Sequence, residues 1–167
     1  MIFVTVGTHE QPFNRLIKEI DNITGSGKIK ERVIVQYGFS TYKAKNCEMH
    51  RMMSFNEMKR MFNDARIVIT HGGPSSFIEA LQAGKVPIVV PRQASFNEHI
   101  NNHQVEFVKL VSEKIGNIIP VYDINTLWDV ICDYDSIEKH KRKNSVSNNA
   151  QFNRSFEKIV QGMFEKI

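Results

Sequence analysis

Cysteine is scarce in this chain: Cys47 and Cys132 are the only two, far apart and in no Cys-x-x-Cys spacing. That usage excludes a disulfide framework and fits a reducing compartment, so a cytoplasmic location is expected. No run approaches the roughly 20 apolar residues that span a bilayer. The first strand-like run opens at Ile2, too early for the charged and apolar regions of a secretory leader. The expected protein is soluble and reaches a membrane only through a partner. Charge of one sign is also lacking, since 22 Lys and Arg against 18 Asp and Glu leave a formal +4, and only Lys139 to Lys143 forms a cluster. That mild balance favours anionic partners such as phosphates or nucleotides, while a short basic segment without an aromatic platform argues against nucleic acid. His99 and His103 stand four apart with no thiol or third ligand close in sequence, so zinc is not expected.

What is present is ordinary globular material: 167 residues, 41% apolar and 24% charged, a length that fits a single domain over 1–167. Apolar β-branched runs at 2–6, 33–37, 67–70 and 86–90, with a weaker one at 118–121, predict buried strands. Between them Phe13, Leu16, Ile17 and Ile20 fall at helical spacing, and Ser54 with Glu57 forms a capping box opening a helix at about 55–64. Residues 42–53 are ambiguous, with room for a short strand. Alternating strands and helices predict an α/β fold, a Rossmann-like open parallel sheet covered on both faces. After Asp123, residues 126–132 read as a helix, 136–149 are polar and basic, and 150–167 place Phe152, Phe156, Ile159, Val160, Met163, Phe164 and Ile167 on one helical face. That C-terminal amphipathic helix packs either on its own sheet or on another subunit.

In open α/β sheets the ligand sits at the carboxyl ends of the strands, where helix N-termini offer amides and partial positive charge. Thr70-His71-Gly72-Gly73-Pro74-Ser75-Ser76 is such a strand end: a double glycine, a proline near the helix start and two hydroxyls in the first turn, able to cradle phosphate. It is neither the Gly-x-x-x-x-Gly-Lys-Ser/Thr loop nor the Gly-x-Gly-x-x-Gly turn, so another nucleotide class is indicated. Glu79, one turn along, could accept from both ribose hydroxyls, or be a plain surface glutamate. Residues 91–104 crowd Arg92, Gln93, Asn97, Glu98, His99, Asn101, Asn102, His103 and Gln104 together, a density suited to a polyhydroxylated ligand or to a polar capping segment.

His71-Gly72-Gly73 with Ser76, Glu79 and Ala80, followed by Pro91, Glu98, His99 and Asn102-His103-Gln104, resembles the nucleotide-sugar half of family 28 glycosyltransferases over residues 2–110. Val4-Thr5-Val6-Gly7-Thr8 leading to Pro12, Phe13 and Leu16 resembles the stand-alone members, soluble subunits of two-subunit transferases that make N-glycans, capsules or exopolysaccharides. The resemblance implies the donor-binding half of a GT-B fold and an inverting hexosyltransferase. It implies transfer from a UDP-sugar, UDP-galactose being the guess, to a lipid-linked saccharide, with a membrane-anchored partner and no cofactor. It implies a donor site in which Gly7, Thr8, His71, Gly72, Gly73, Ser75 and Ser76 surround the diphosphate. Glu79 would hold the ribose, and Glu98, His99 and Gln104 the hexose, with Asn102 and His103 as weaker candidates. Full-length members take their catalytic base from the half missing here, so His9, Glu10 or the partner supplies it. A non-catalytic nucleotide-sugar-binding regulatory subunit is the alternative reading. Asp133-Tyr134-Asp135 matches the metal-holding Asp-x-Asp of the other large transferase fold, but it follows a helix rather than a strand end and reads as solvated surface.

Overall fold

The computed structural model describes residues 1–145 of the chain, and the amphipathic face expected at 150–167 lies outside them. Six strands, β1 (Ile2–Thr5), β2 (Val33–Gln36), β3 (Glu48–His50), β4 (Ile67–His71), β5 (Ile88–Val90) and β6 (Ile119–Pro120), pair in the order β3-β2-β1-β4-β5-β6. Every pairing is parallel. The ambiguous stretch at 42–53 supplies β3 as the edge strand, and its burial is incomplete, which is why its pattern was weak.

Among the described residues six α-helices join and cover the sheet: α1 (Asn14–Gly25), α2 (Phe55–Asp64), α3 (Pro74–Gln82), α4 (His103–Lys114), α5 (Leu127–Cys132) and α6 (Tyr134–Ser145). Because strand side chains alternate, each strand feeds two cores. Ile2, Val4, Val33, Val35, Ile67, Ile69, Ile88 and Val90 face the α1 stripe of Leu16, Ile17 and Ile20, with Leu127 and Ile131 of α5 beyond. Phe3, Ile34 and Val68 face Phe62 of α2 and Ala80 of α3, Phe3 meeting Phe62 edge to face at 5.4 Å. Val89 joins Phe77 of α3 and Val108 and Val111 of α4. The expected capping box is formed: the Ser54 hydroxyl accepts from the Glu57 amide while the Glu57 carboxylate accepts from the Ser54 amide.

The polar stretch after Cys132 continues as α6, anchored at its start by buried Tyr134, whose hydroxyl donates to the Val86 carbonyl at 2.9 Å. Asp135 pairs with Arg66 at 2.8 Å beside the amino end of β4, away from the carboxyl ends of the strands. Asp135 of the Asp-x-Asp is therefore part of a surface ion-pair network that also holds Glu31. The strand order reverses between β1 and β4, and in doubly wound sheets that reversal is where two diverging connections leave a crevice.

Candidate functional site

The crevice is present: a cleft of about 430 Å³ opens at the carboxyl ends of β1, β2 and β4. Of the residues singled out from the sequence, Gly7, Thr8, His9, His71, Ser75, Ser76 and Glu79 line it. Gly73 is the N-cap of α3 and Pro74 its first residue, and no side chain caps the helix. The amides of its first turn, with the Ser75 and Ser76 hydroxyls, are thus available to an anion at the positive end of the helix. Among the described residues the Glu79 carboxylate has no hydrogen-bond or ion-pair partner, and it stands one turn further along the same cleft wall.

The double glycine serves a purpose other than unusual backbone angles. Gly73 has an extended conformation, φ −74° and ψ 130°, open to any residue, but a Cβ there would fall on the His71 imidazole. A Cβ at Gly72 would press on Gln104 and Val108 of α4 at 3.0 Å. Gly7 is different: its φ of +73° favours glycine, and its missing Cβ also makes room for His71. The His71 ring is therefore packed between two glycine-bearing turns at the switch point.

His71 is only 8% exposed, and its Nδ1 is buried with no partner among the described residues. Burial, the Arg92 guanidinium and neighbouring His9 push its pKa down to about 3, against a weaker opposing hydrogen bond between the ring and the Thr5 backbone. The ring is neutral at physiological pH, a fixed dipole inside the cleft with an unused polar atom. An orphaned buried nitrogen costs stability unless a ligand or water completes it.

His9 is the junction between this cleft and the polar stretch after β5. Its ring lies 4.9 Å from that of His99, and its pKa is lowered by partial burial, then by Arg92 and His99, with Glu10 opposing. The Gln11 amide donates to His9 Nδ1 at 3.1 Å. A backbone amide is always the donor, so neutral His9 carries its proton on Nε2 and offers the cleft a donor. The Asn101 amide makes the same approach to His99 Nδ1 at 3.4 Å. Glu10 is exposed on the same turn.

The remaining expected residues are engaged within the protein. Glu98 is buried, its carboxylate accepting both Arg15 Nε and Nη2 at 2.9 and 2.8 Å and the Gln93 amide at 3.1 Å. Gln104 Oε1 accepts from the Arg92 amide, and Asn102 Oδ1 accepts from the Ala94 amide. Neither these three nor His99 lines the cleft. His99 precedes α4, which starts at His103, so the two histidines do not share a helical face. Among the described residues no group of three His, Cys, Asp or Glu side chains could hold a metal.

The cleft also contains residues that sequence patterning passed over. Met52, Met53, Phe55 and Met58 form an apolar wall of the cleft that Glu79 also lines, with Phe55 74% exposed at the first position of α2. An exposed phenylalanine directly after a capping box was the signal available. Thr5 and Gln36 form the floor: Thr5 Oγ1 donates to Gln36 Oε1 at 2.6 Å and accepts from the Gly7 amide at 3.3 Å. Gln36 Nε2 in turn donates to the Gly7 and Arg51 carbonyls, both at 3.2 Å.

Comparison with known proteins bears on the family and the fold. The profile of the glycosyltransferase family 28 C-terminal domain matches residues 1–161. A UDP-N-acetylglucosamine–N-acetylmuramyl-(pentapeptide) pyrophosphoryl-undecaprenol N-acetylglucosamine transferase of Bdellovibrio bacteriovorus is 31% identical over 83 residues, 50% of this chain and 22% of that protein. Among solved structures, the calicheamicin glycosyltransferase CalG4 superposes with a TM-score of 0.57 at 13% identity, covering 99% of this chain and 42% of that one. The glycosyltransferase SnogD from Streptomyces nogalater gives 0.53 at 14% identity, covering 96% and 43%. At such identities the likeness is one of fold, that of GT-B glycosyltransferases. The chain spans about a fifth of the curated relative and about two fifths of these structures.

Proposed function

The chain belongs to the glycosyltransferase family 28 C-terminal domain family, and from that premise we propose that it is the donor-binding, catalytic subunit of an inverting glycosyltransferase. On this reading it is one nucleotide-sugar-binding domain that takes a hexose, galactose being our choice, from a UDP-sugar. The acceptor is a lipid-linked saccharide in polysaccharide synthesis, and a membrane-anchored partner provides the other half of the cleft. Among the described residues no helix is long and apolar enough to cross a membrane. The observation that carries the proposal is the uncapped N-terminus of α3 beside the orphaned, neutral His71 in a cleft that also holds Glu79.

Each part of a UDP-sugar finds matching chemistry there. The uracil lies against the Met52, Met53, Phe55 and Met58 wall, and the ribose hydroxyls donate to Glu79. The diphosphate accepts from the first-turn amides and hydroxyls of α3, and the hexose extends towards His9 and His99. In the transfer step an acceptor oxygen bonds to the anomeric carbon while the bond to the β-phosphate oxygen breaks. That oxygen keeps the electron pair, and the acceptor proton passes to a base. Each preorganised donor on the departing charge is worth roughly 3 kcal/mol on the oxyanion-hole scale. His9, protonated on Nε2, is set to donate to the sugar or diphosphate, which leaves Glu10 or the partner as the base.

Calorimetry with UDP tests the proposal directly. A 1:1 complex that protects α3 first-turn amides from hydrogen exchange is expected. Absence of binding at millimolar UDP refutes it.

A further inference from the structure

Arg92 is the largest fully buried side chain in the described protein, 1% exposed, yet no carboxylate accepts a hydrogen bond from it. Nη1 donates to the Gln11 carbonyl at 2.7 Å and the Glu98 carbonyl at 3.1 Å, Nη2 donates to the Val6 carbonyl at 2.9 Å, and Nε is buried without a partner. The carboxylate that acts on it, Glu98, is committed to Arg15. Both guanidiniums lie on the Phe13 ring, Arg92 at 4.9 Å and Arg15 at 5.4 Å. Two cations and one anion leave a net positive charge inside the protein. A buried ion held only by carbonyls repays its desolvation poorly as a stabilising device. A methionine of similar volume would pack there without that cost, so packing alone does not account for an arginine.

The carbonyls it holds are informative. Val6 and Gln11 bracket Gly7, Thr8, His9 and Glu10, the turn that forms one lip of the cleft, and Glu98 immediately precedes His99. A planar fork with several donors in fixed directions can hold three carbonyls at once, which a lysine ammonium on a flexible stem cannot do with the same geometry. We propose that Arg92 is a positioning residue of the glycosyl-transfer site, whose buried guanidinium fixes both ends of the 7–10 turn against the Glu98 segment and so holds His9 in register with His99 and the cleft. This deepens the transferase reading and rests on it for the word transfer. The clamp itself stands on the geometry alone. The charged and titratable groups acting on His9 are Arg92, His99 and Glu10, and His9 in turn acts on His71. Arg92 is the cation that lowers both imidazoles, so its removal has an electrostatic readout separate from folding.

The experiment compares wild type, R92M and R92K in the full chain. It uses nitrogen-detected titration of the His9 and His99 imidazoles, the contact between the two rings, and UDP calorimetry, with circular dichroism reporting folding. In R92M we expect the His9 midpoint to rise, the ring contact to be lost and the UDP dissociation constant to increase by about tenfold or more. R92K, which keeps the charge, restores the His9 midpoint but not the ring contact or the affinity. It also serves as the test should R92M fail to fold. A folded R92M or R92K that retains the ring contact and the UDP affinity of wild type overturns the clamp. Wild type that ignores UDP while R92M still releases His9 removes the transferase reading and leaves the clamp in place.

Discussion

Two strand ends in this protein are equally rich in polar side chains and behave in opposite ways. At the β1/β4 switch point the α3 amides are uncapped, His71 Nδ1 is orphaned and Glu79 has no partner among the described residues. At the end of β5, Glu98 accepts from Arg15, Gln104 from the Arg92 amide and Asn102 from the Ala94 amide, while Arg92 donates to the Val6, Gln11 and Glu98 carbonyls. The first region leaves hydrogen-bonding capacity open at the cleft, and the second spends most of its own on holding loops, with Arg92 Nε and Arg15 Nη1 buried unpaired. Polar density and polar capacity left unspent at a cavity wall are therefore different signals.

The largest effect that would break this contrast is on the β5 side. Glu98→Ala leaves the Arg15 guanidinium without its paired carboxylate and removes the one anion beside buried Arg92, and should cost about 3–5 kcal/mol in urea unfolding. A loss below about 1 kcal/mol would place Glu98 among ligand-facing groups after all.

Next in size is a pH effect on the switch-point side. The folded His71 midpoint near 3 lies far below the ordinary 6.5, so between those values the unfolded chain binds a proton that the folded chain refuses. Stability is complete above the ordinary value and falls as the pH drops through that window. Denaturant unfolding at about pH 7.5 and about pH 5 should differ by about 2 kcal/mol from this group, and His71→Asn should remove that share. A wild-type curve that the substitution leaves unchanged would mean that the ring is not held neutral.

The smallest effect sharpens the contrast instead. Glu79→Ala should leave the unfolding midpoint within about 0.5 kcal/mol of wild type, as expected of a side chain with no internal role. UDP binding should weaken about tenfold, and any preference for UDP over its 2′-deoxy analogue should disappear. Loss of stability without loss of that preference would reassign Glu79 to the scaffold.

Much of this was legible beforehand because it depends on local chemistry. The β-branched runs, the Leu16-Ile17-Ile20 stripe and the Ser54/Glu57 box each specify an element through steric and hydrogen-bonding preferences of adjacent residues. The edge strand β3 was faint because an edge is half-exposed and lacks a continuous apolar run. The apolar lining was not legible because Met52 and Met53 lie in the loop after β3 while Phe55 and Met58 belong to α2, and only tertiary packing brings loop and helix to one cleft.

The sequence by itself determined the α/β layering, the family, and the polar turn residues of the cleft such as Gly7, His71, Ser75, Ser76 and Glu79. It could do so because periodicity and short motifs act over a few residues. Tertiary structure decided which polar side chains remain open to a ligand. Glu98 meets Arg15 across 83 positions and Arg92 meets Val6 across 86, and a hydrogen bond formed at such separation removes a group from the site with no local trace.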